Sequence, residues 1–139
     1  MKQTIDPVWA WSKYQPAAET PWNLRAAAHL YRRAGFGANR TELTAAVEAG
    51  AVAAAENLLS ATAEPEDYRN EVADLAHASM ATGNVQQLSA WWAYRMLSTP
   101  AQLLEKVTLL WHGHFATSAQ KVEDAELMFD QNNLLRKYA

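Results

Sequence analysis

Residues 103–118 read LLEKVTLLWHGHFATS, and this stretch decides the fold of the chain. It holds two of the four histidines and the densest run of large apolar side chains. The apolar side chains recur at helical spacing, at Leu103, Val107, Leu110 and Trp111. We therefore predict one helix that turns this face toward the core.

The two histidines of this segment fall on different faces of the predicted helix. At about 100° per residue, His112 and His114 diverge by roughly 200° and cannot share one metal ion unless the helix breaks at Gly113. His114 falls on the apolar face and is predicted to be buried. His112 falls at the polar boundary, where the Thr108 hydroxyl, four residues earlier, is within hydrogen-bonding reach.

His112 and His114 are the candidate functional residues, and two interpretations stay open for them. Each is either a metal ligand or acid–base group, or a packed histidine without catalytic role. A metal site would need carboxylates from elsewhere, and the chain offers Glu105, Glu123, Asp124, Glu126 and Asp130. Residues 130–133, DQNN, lie on either the surface or the wall of a cleft. No cofactor and no metal-ligand set is identified.

The remaining chain also favours helix, with abundant alanine, few β-branched residues and 50% hydrophobic residues. Helices are expected at about 23–34, 40–49, 51–59, 65–80, 85–97, from 100, and from 122. Asn39 and Glu42 form a capping box, and Gly35 is expected to be left-handed. Thr99, Pro100 and Gln102 are expected at the N-cap, N1 and N3 positions.

We predict an all-α fold, an irregular orthogonal bundle of about six or seven helices with an extended N-terminal aromatic arm. The arm, residues 1–22, interleaves tryptophans with prolines and is expected to pack against the helical domain, residues 23–139. The last helix ends abruptly at Tyr138-Ala139, as expected for a fragment of a longer protein.

Composition excludes several classes of function. A chain of 139 residues fits one domain, and its net charge of −3 leaves no basic surplus for a nucleic-acid binder. There is no cysteine, so disulfides and thiolate chemistry are absent. No uncharged apolar run approaches the about 18 residues of a membrane span, and no signal peptide is visible. The compartment is left open.

Several segments together resemble a bacterial protein family, that of domain of unknown function 1800. They are residues 27–38 (AAHLYRRAGFGA), 91–97 (WWAYRML), 105–118 (EKVTLLWHGHFATS) and Gln131-Asn132, in that order and spacing. The Trp-Ala-Trp of residues 9–11 is similar to planctomycete-type members. The resemblance spans nearly the whole chain and implies the N-terminal portion of a longer, helix-rich protein.

The family resemblance also bears on function, although it implies no established activity. Many members are exported and encoded beside a family that resembles sulfatases, so a sulfatase-like partner protein is expected. The family motif Trp-His-x-His-Phe matches residues 111–115 and points to His112 and His114. Two hypotheses follow. The segment contributes these histidines to a cleft or metal site completed by C-terminal residues, or it is a non-catalytic structural or interaction module that docks a partner.

Overall fold

The protein is an all-α helical bundle, as predicted. A computed structural model describes residues 6–61, 63–115 and 119–139. Over these ranges there is no β-strand. The helices are α1 (Pro7–Ala10), α2 (Leu24–Ala34), α3 (Arg40–Ala49), α4 (Ala51–Ser60), α5 (Glu66–Ala81), α6 (Val85–Ser98), α7 (Gln102–His114), α8 (Ala119–Val122) and α9 (Ala125–Lys137). Residues 116–118, at the end of the tryptophan–histidine segment 103–118, lie outside the described residues.

Local capping chemistry sets the start of α3 as the sequence predicts. The Asn39 side chain accepts a hydrogen bond from the Glu42 backbone N–H, and the Glu42 carboxylate accepts one from the Asn39 backbone N–H. This reciprocal pair satisfies two amides that have no partner within the helix. Asn23 caps α2 in a similar way, with its side-chain oxygen accepting from Arg25 and Ala26.

Gly35, after α2, differs from the expectation of a left-handed residue. Its φ of −152° lies in the extended region, so backbone strain does not require glycine here. The requirement is steric, because a Cβ at this position would lie 2.3 Å from the Gln102 Oε1 atom, 3.0 Å from Gln102 Cβ and 3.2 Å from the Tyr31 carbonyl oxygen. Gln102 in turn accepts a hydrogen bond of 3.2 Å from the Phe36 backbone N–H. Gly35 thus allows the end of α2 to approach the start of α7.

The start of α7 also differs from the prediction, since Ala101 and not Thr99 is its N-cap residue. The Thr99 hydroxyl accepts from the Ala101 backbone N–H at 3.0 Å and donates to the Glu64 carboxylate at 2.8 Å. Thr99 therefore ties the α6–α7 connection to the segment that precedes α5. The last predicted helix, expected from about residue 122, begins at Ala125 as α9, and Glu123, whose φ is +50°, separates it from the short helix α8.

Two hydrophobic clusters form the core, and α7 contacts the helices of both. The first consists of small side chains on α2, α3 and α4, namely Ala27, Ala46 and Ala54. The second, between α5, α6 and α9, consists of Val72, Ala76, Leu88, Trp91 and Met128. Because α7 packs against α2 and α4 on one side and α6 and α9 on the other, it links the two clusters.

The described part of the N-terminal arm contacts the bundle through Trp22. The Trp22 indole packs on the first cluster and donates a 3.1 Å hydrogen bond to the Ala46 carbonyl oxygen. Trp11, by contrast, is 91% exposed, so the expectation that the whole arm packs against the body is wrong for this residue. The division into an arm, residues 1–22, and a helical domain, residues 23–139, stays a prediction.

Candidate functional site

The tryptophan–histidine segment forms one helix up to His114, but the helix is rotated relative to the predicted orientation. The side chains of α7 that are fully buried are Glu105 and Thr108. Leu110, predicted to face the core, is 65% exposed. The inward face is a second stripe at spacings of four, three and four residues, formed by Ala101, Glu105, Thr108 and His112.

This rotation reverses the predicted environments of the two histidines. His114 is exposed, which corrects the prediction that it is buried, and its ring contacts those of Trp111 and Phe115. His112 is half-buried, and its ring centroid lies 4.8 Å from that of Trp92. The structure therefore does not bring the two imidazoles together. The Thr108 hydroxyl donates to the Leu104 carbonyl oxygen and not to His112.

The Glu105 carboxylate is the centre of a buried polar network between α6, α7 and α9. Its Oε1 atom accepts hydrogen bonds from the Nε atoms of Arg95, at 2.7 Å, and of Arg136. Its Oε2 atom accepts from the Trp92 indole at 3.0 Å and from Arg136 Nη2 at 3.3 Å. A buried carboxylate is tolerated only when it is paired in this way.

A second carboxylate balances the charge of the network. Glu64 accepts a 2.7 Å hydrogen bond from Arg95 Nη2, so two guanidinium groups face two carboxylates. Burial by itself would raise the pKa of Glu105. Hydrogen bonds and charge attraction from Arg136 and Arg95 outweigh burial, and they hold the pKa of Glu105 below its ordinary value. Glu105 is therefore an ionised structural group at neutral pH.

Asn132 on α9 extends the network toward a cavity. Its side-chain oxygen accepts a hydrogen bond from Arg136 Nη2, and this bond fixes the orientation of the amide because a guanidinium can only donate. The Nδ2 group therefore points away from Arg136. It is buried and has no acceptor among the described residues. Leaving an amide N–H buried and unpaired costs about 1–3 kcal/mol.

A cavity of about 130 Å³ lies beside this amide. We call it the α6–α7–α9 cavity, and its walls include Ser89, Trp91, Trp92, His112, Met128 and Asn132. His112 makes no hydrogen bond to any described residue, so its ring nitrogens are available to an occupant. The Ser89 hydroxyl donates to the Val85 carbonyl oxygen and can still accept. Indole faces and a few polar groups are typical of a small-molecule site.

The candidate carboxylates do not gather around either histidine. Glu105 is engaged in the network, and the Asp124 carboxylate caps α9 by accepting from Glu126 and Leu127. Glu123, Glu126 and Asp130 are exposed. Over residues 6–61, 63–115 and 119–139, no group of three or more His, Cys, Asp or Glu side chains could hold a metal ion.

Sequence reasoning missed Arg95 and Arg136 as partners of Glu105, and it missed Glu64 as the second partner of Arg95. The sequence nevertheless held a signal for the inward face of α7. Glu105, Thr108 and His112 recur at the same helical spacing as the apolar residues that were predicted to face the core. Of the DQNN segment, Asn132 is buried and lines the cavity, which agrees with the cleft alternative for that residue.

The described helices are all too short or too polar to cross a membrane. A search of curated proteins and a search of solved structures each find no match. The sequence profile of one family, described as "Protein of unknown function (DUF1800)", matches residues 29–139. The planctomycete assignment stays a prediction. The match covers most of the chain and agrees with the segments that carry the resemblance, so the chain belongs to the DUF1800 family.

Proposed function

We propose that this segment is a ligand-binding helical module whose site is the α6–α7–α9 cavity. The observation that carries the proposal is the buried Asn132 Nδ2 group, which has no acceptor among the described residues and belongs to a cavity wall. An occupant with a hydrogen-bond acceptor would remove the cost of this unpaired donor. His112, with free ring nitrogens on the same cavity, would orient that occupant.

The charge around the cavity favours a neutral polar group as the occupant. Arg95 and Arg136 are balanced by Glu64 and Glu105, so no net charge remains to stabilise a buried ion. A carbonyl or hydroxyl group could accept a hydrogen bond from Asn132 Nδ2 and form a second hydrogen bond with a ring nitrogen of His112. The indole rings of Trp91 and Trp92 would contact its apolar part. A volume of about 130 Å³ suits one end of a small molecule.

Acetamide, which carries a neutral carbonyl, is a suitable probe, and acetate is its charged counterpart. In nitrogen–proton correlation spectra, acetamide should shift the Asn132 amide and Trp92 indole signals saturably, and acetate should do so less. Asn132→Asp keeps an acceptor for Arg136 but removes the donor, so it should abolish the response of the Trp92 indole. Asn70→Asp, at an exposed position of α5, is the matched control. An equal response in both variants contradicts the proposal.

A second candidate function, docking of a partner protein, is favoured by apolar side chains that α7 and α9 leave uncovered. Leu110, Leu127 and Leu134 are each more than half exposed. The indoles of Trp22, Trp91 and Trp92 instead donate to acceptors inside the chain, so the exposed leucines and not these three tryptophans would be the anchors. The sulfatase-like protein that the resemblance implies is the proposed partner. Binding of that purified protein should weaken in Leu110→Ser and persist in Asn133→Asp.

The alternative in which His112 joins a metal site completed by C-terminal residues rests on its free ring nitrogens. Metal analysis of the longer protein tests it. A stoichiometric metal that is lost in His112→Ala, but retained in His114→Ala, would support this alternative over binding of a neutral ligand.

A further inference from the structure

A second cavity lies far along the chain from the first, between the arm and helices α2 and α4. Its volume is about 720 Å³, within the range of small-molecule sites. We call it the arm groove. Its walls come from Tyr14 and residues 19–23, from one face of α2 and from two alanines of α4, Ala51 and Ala55.

The arm wall of the groove is held in shape by its own hydrogen bonds. The Tyr14 hydroxyl donates to the Thr20 carbonyl oxygen at 2.8 Å, and the backbones of Ala17 and Thr20 exchange two hydrogen bonds. The Trp22 indole is fixed to Ala46 of α3, and its ring lies 6.3 Å from that of Tyr14. The two rings therefore offer an aromatic surface that is ordered before any ligand arrives.

The α2 wall is cationic. Arg25, His29 and Arg32 recur at spacings of four and three residues, so they lie on one face of the helix, and all three line the groove. Helix α2 carries no acidic residue. Neither Arg25 nor Arg32 forms an ion pair with any described residue. Among the described residues that line the groove, Glu19 is the one carboxylate.

We propose that the arm groove binds a single-chain anionic amphiphile. Its apolar chain would lie on Trp22 and the α4 alanines, and its carboxylate or phosphate head would pair with Arg25 and Arg32. Guanidinium groups suit such heads because they donate two parallel hydrogen bonds. This site shares no lining residue with the α6–α7–α9 cavity, so it does not depend on the function proposed above.

Calorimetric titration of the chain with decanoate tests the proposal, and octyl glucoside and inorganic phosphate are probes for the tail and the head alone. Decanoate should bind saturably and more tightly than either. Arg25→Gln and Arg32→Gln should each weaken decanoate binding about fivefold, the effect of one exposed ion pair. Arg33→Gln removes the same charge from the next, exposed position outside the groove and should change binding less than twofold.

Three results would overturn the proposal. The first is equal weakening by Arg33→Gln and Arg32→Gln, which would indicate general charge attraction. The second is equal binding of octyl glucoside and decanoate, which would remove the role of the anionic head. The third is the absence of decanoate binding together with sedimentation of the chain on vesicles that contain phosphatidylglycerol, which would indicate a membrane surface as the partner.

Discussion

Replacing Glu105 by glutamine tests whether the buried network stabilises the bundle. The carboxylate accepts four hydrogen bonds, three of them from guanidinium groups. Arg95 would keep Glu64 as a partner, but Arg136 would lose its carboxylate. Removing one member of a buried pair costs about 3–5 kcal/mol. Because the Arg136 side chain is 10% exposed and can reach some water, we expect about 3 kcal/mol.

Urea unfolding of Glu105→Gln, followed by far-ultraviolet circular dichroism at pH 7, measures this cost. A loss of that size corresponds to a fall in Tm of about 10 °C for a chain of this length. Glu48→Gln, at an exposed position of α3, is the matched control and should change stability by less than about 0.5 kcal/mol.

A double-mutant cycle separates charge from packing in the same network. Arg136→Met should cost less in the Glu105→Gln background than in the wild-type chain, because the guanidinium has already lost its main acceptor. Additive losses, or a loss below about 1 kcal/mol for Glu105→Gln alone, would refute the reasoning.

Three further predictions concern the acid unfolding of Glu105→Gln, the packing of Gly35 against Gln102, and the contributions of Trp91 and Trp111 to stability. The pKa of Glu105 is lowered in the folded chain from its ordinary value of 4.5. The contribution of Glu105 to the free energy of unfolding is therefore complete above pH 4.5 and is lost as the pH falls through the lowered pKa. In acid unfolding, the stability of Glu105→Gln should depend less on pH than that of the wild type. Gly35→Ala should destabilise the folded chain by about 1–3 kcal/mol, because the added Cβ would displace Gln102. Gly113→Ala is the control and should be neutral or stabilising, because a Cβ there meets nothing within 4 Å. Trp91→Ala should destabilise the chain by about 3–5 kcal/mol, because Trp91 is 5% exposed and its indole donates a hydrogen bond to the Val72 carbonyl oxygen. Trp111→Ala should cost less, because Trp111 is only half-buried. Denaturant titrations that give the reverse order would contradict the assignment of the core.

Features that depend on residues near in sequence were predictable. The capping box at Asn39 follows from side chains within three residues of the amides that they bind. Thr99 and Gln102 carry similar capping signals. Their side chains instead serve Glu64 and Phe36, which lie 35 and 66 positions away in the chain, and no local pattern encodes these partners.

The helical period also predicted the relative orientation of the histidines but not the absolute one. His112 and His114 do diverge, as a wheel requires. Which face turns inward depends on what α6 and α9 offer, and they offer Arg95 and Arg136 to a carboxylate on the polar stripe. Hydrophobicity alone favours burial of Leu110. The ion pairs of Glu105 with Arg95 and Arg136 instead favour the orientation in which Glu105 is buried and Leu110 is exposed.

The same network links the stability of the bundle to the proposed site. Contacts run without a break from Glu64 through Arg95, Glu105 and Arg136 to Asn132. Because Arg136 binds Glu105 and the Asn132 side-chain oxygen together, Glu105 holds the amide orientation from a distance, although it does not line the cavity. If the proposed function is right, Glu105→Gln should weaken acetamide binding even under conditions in which the variant is fully folded.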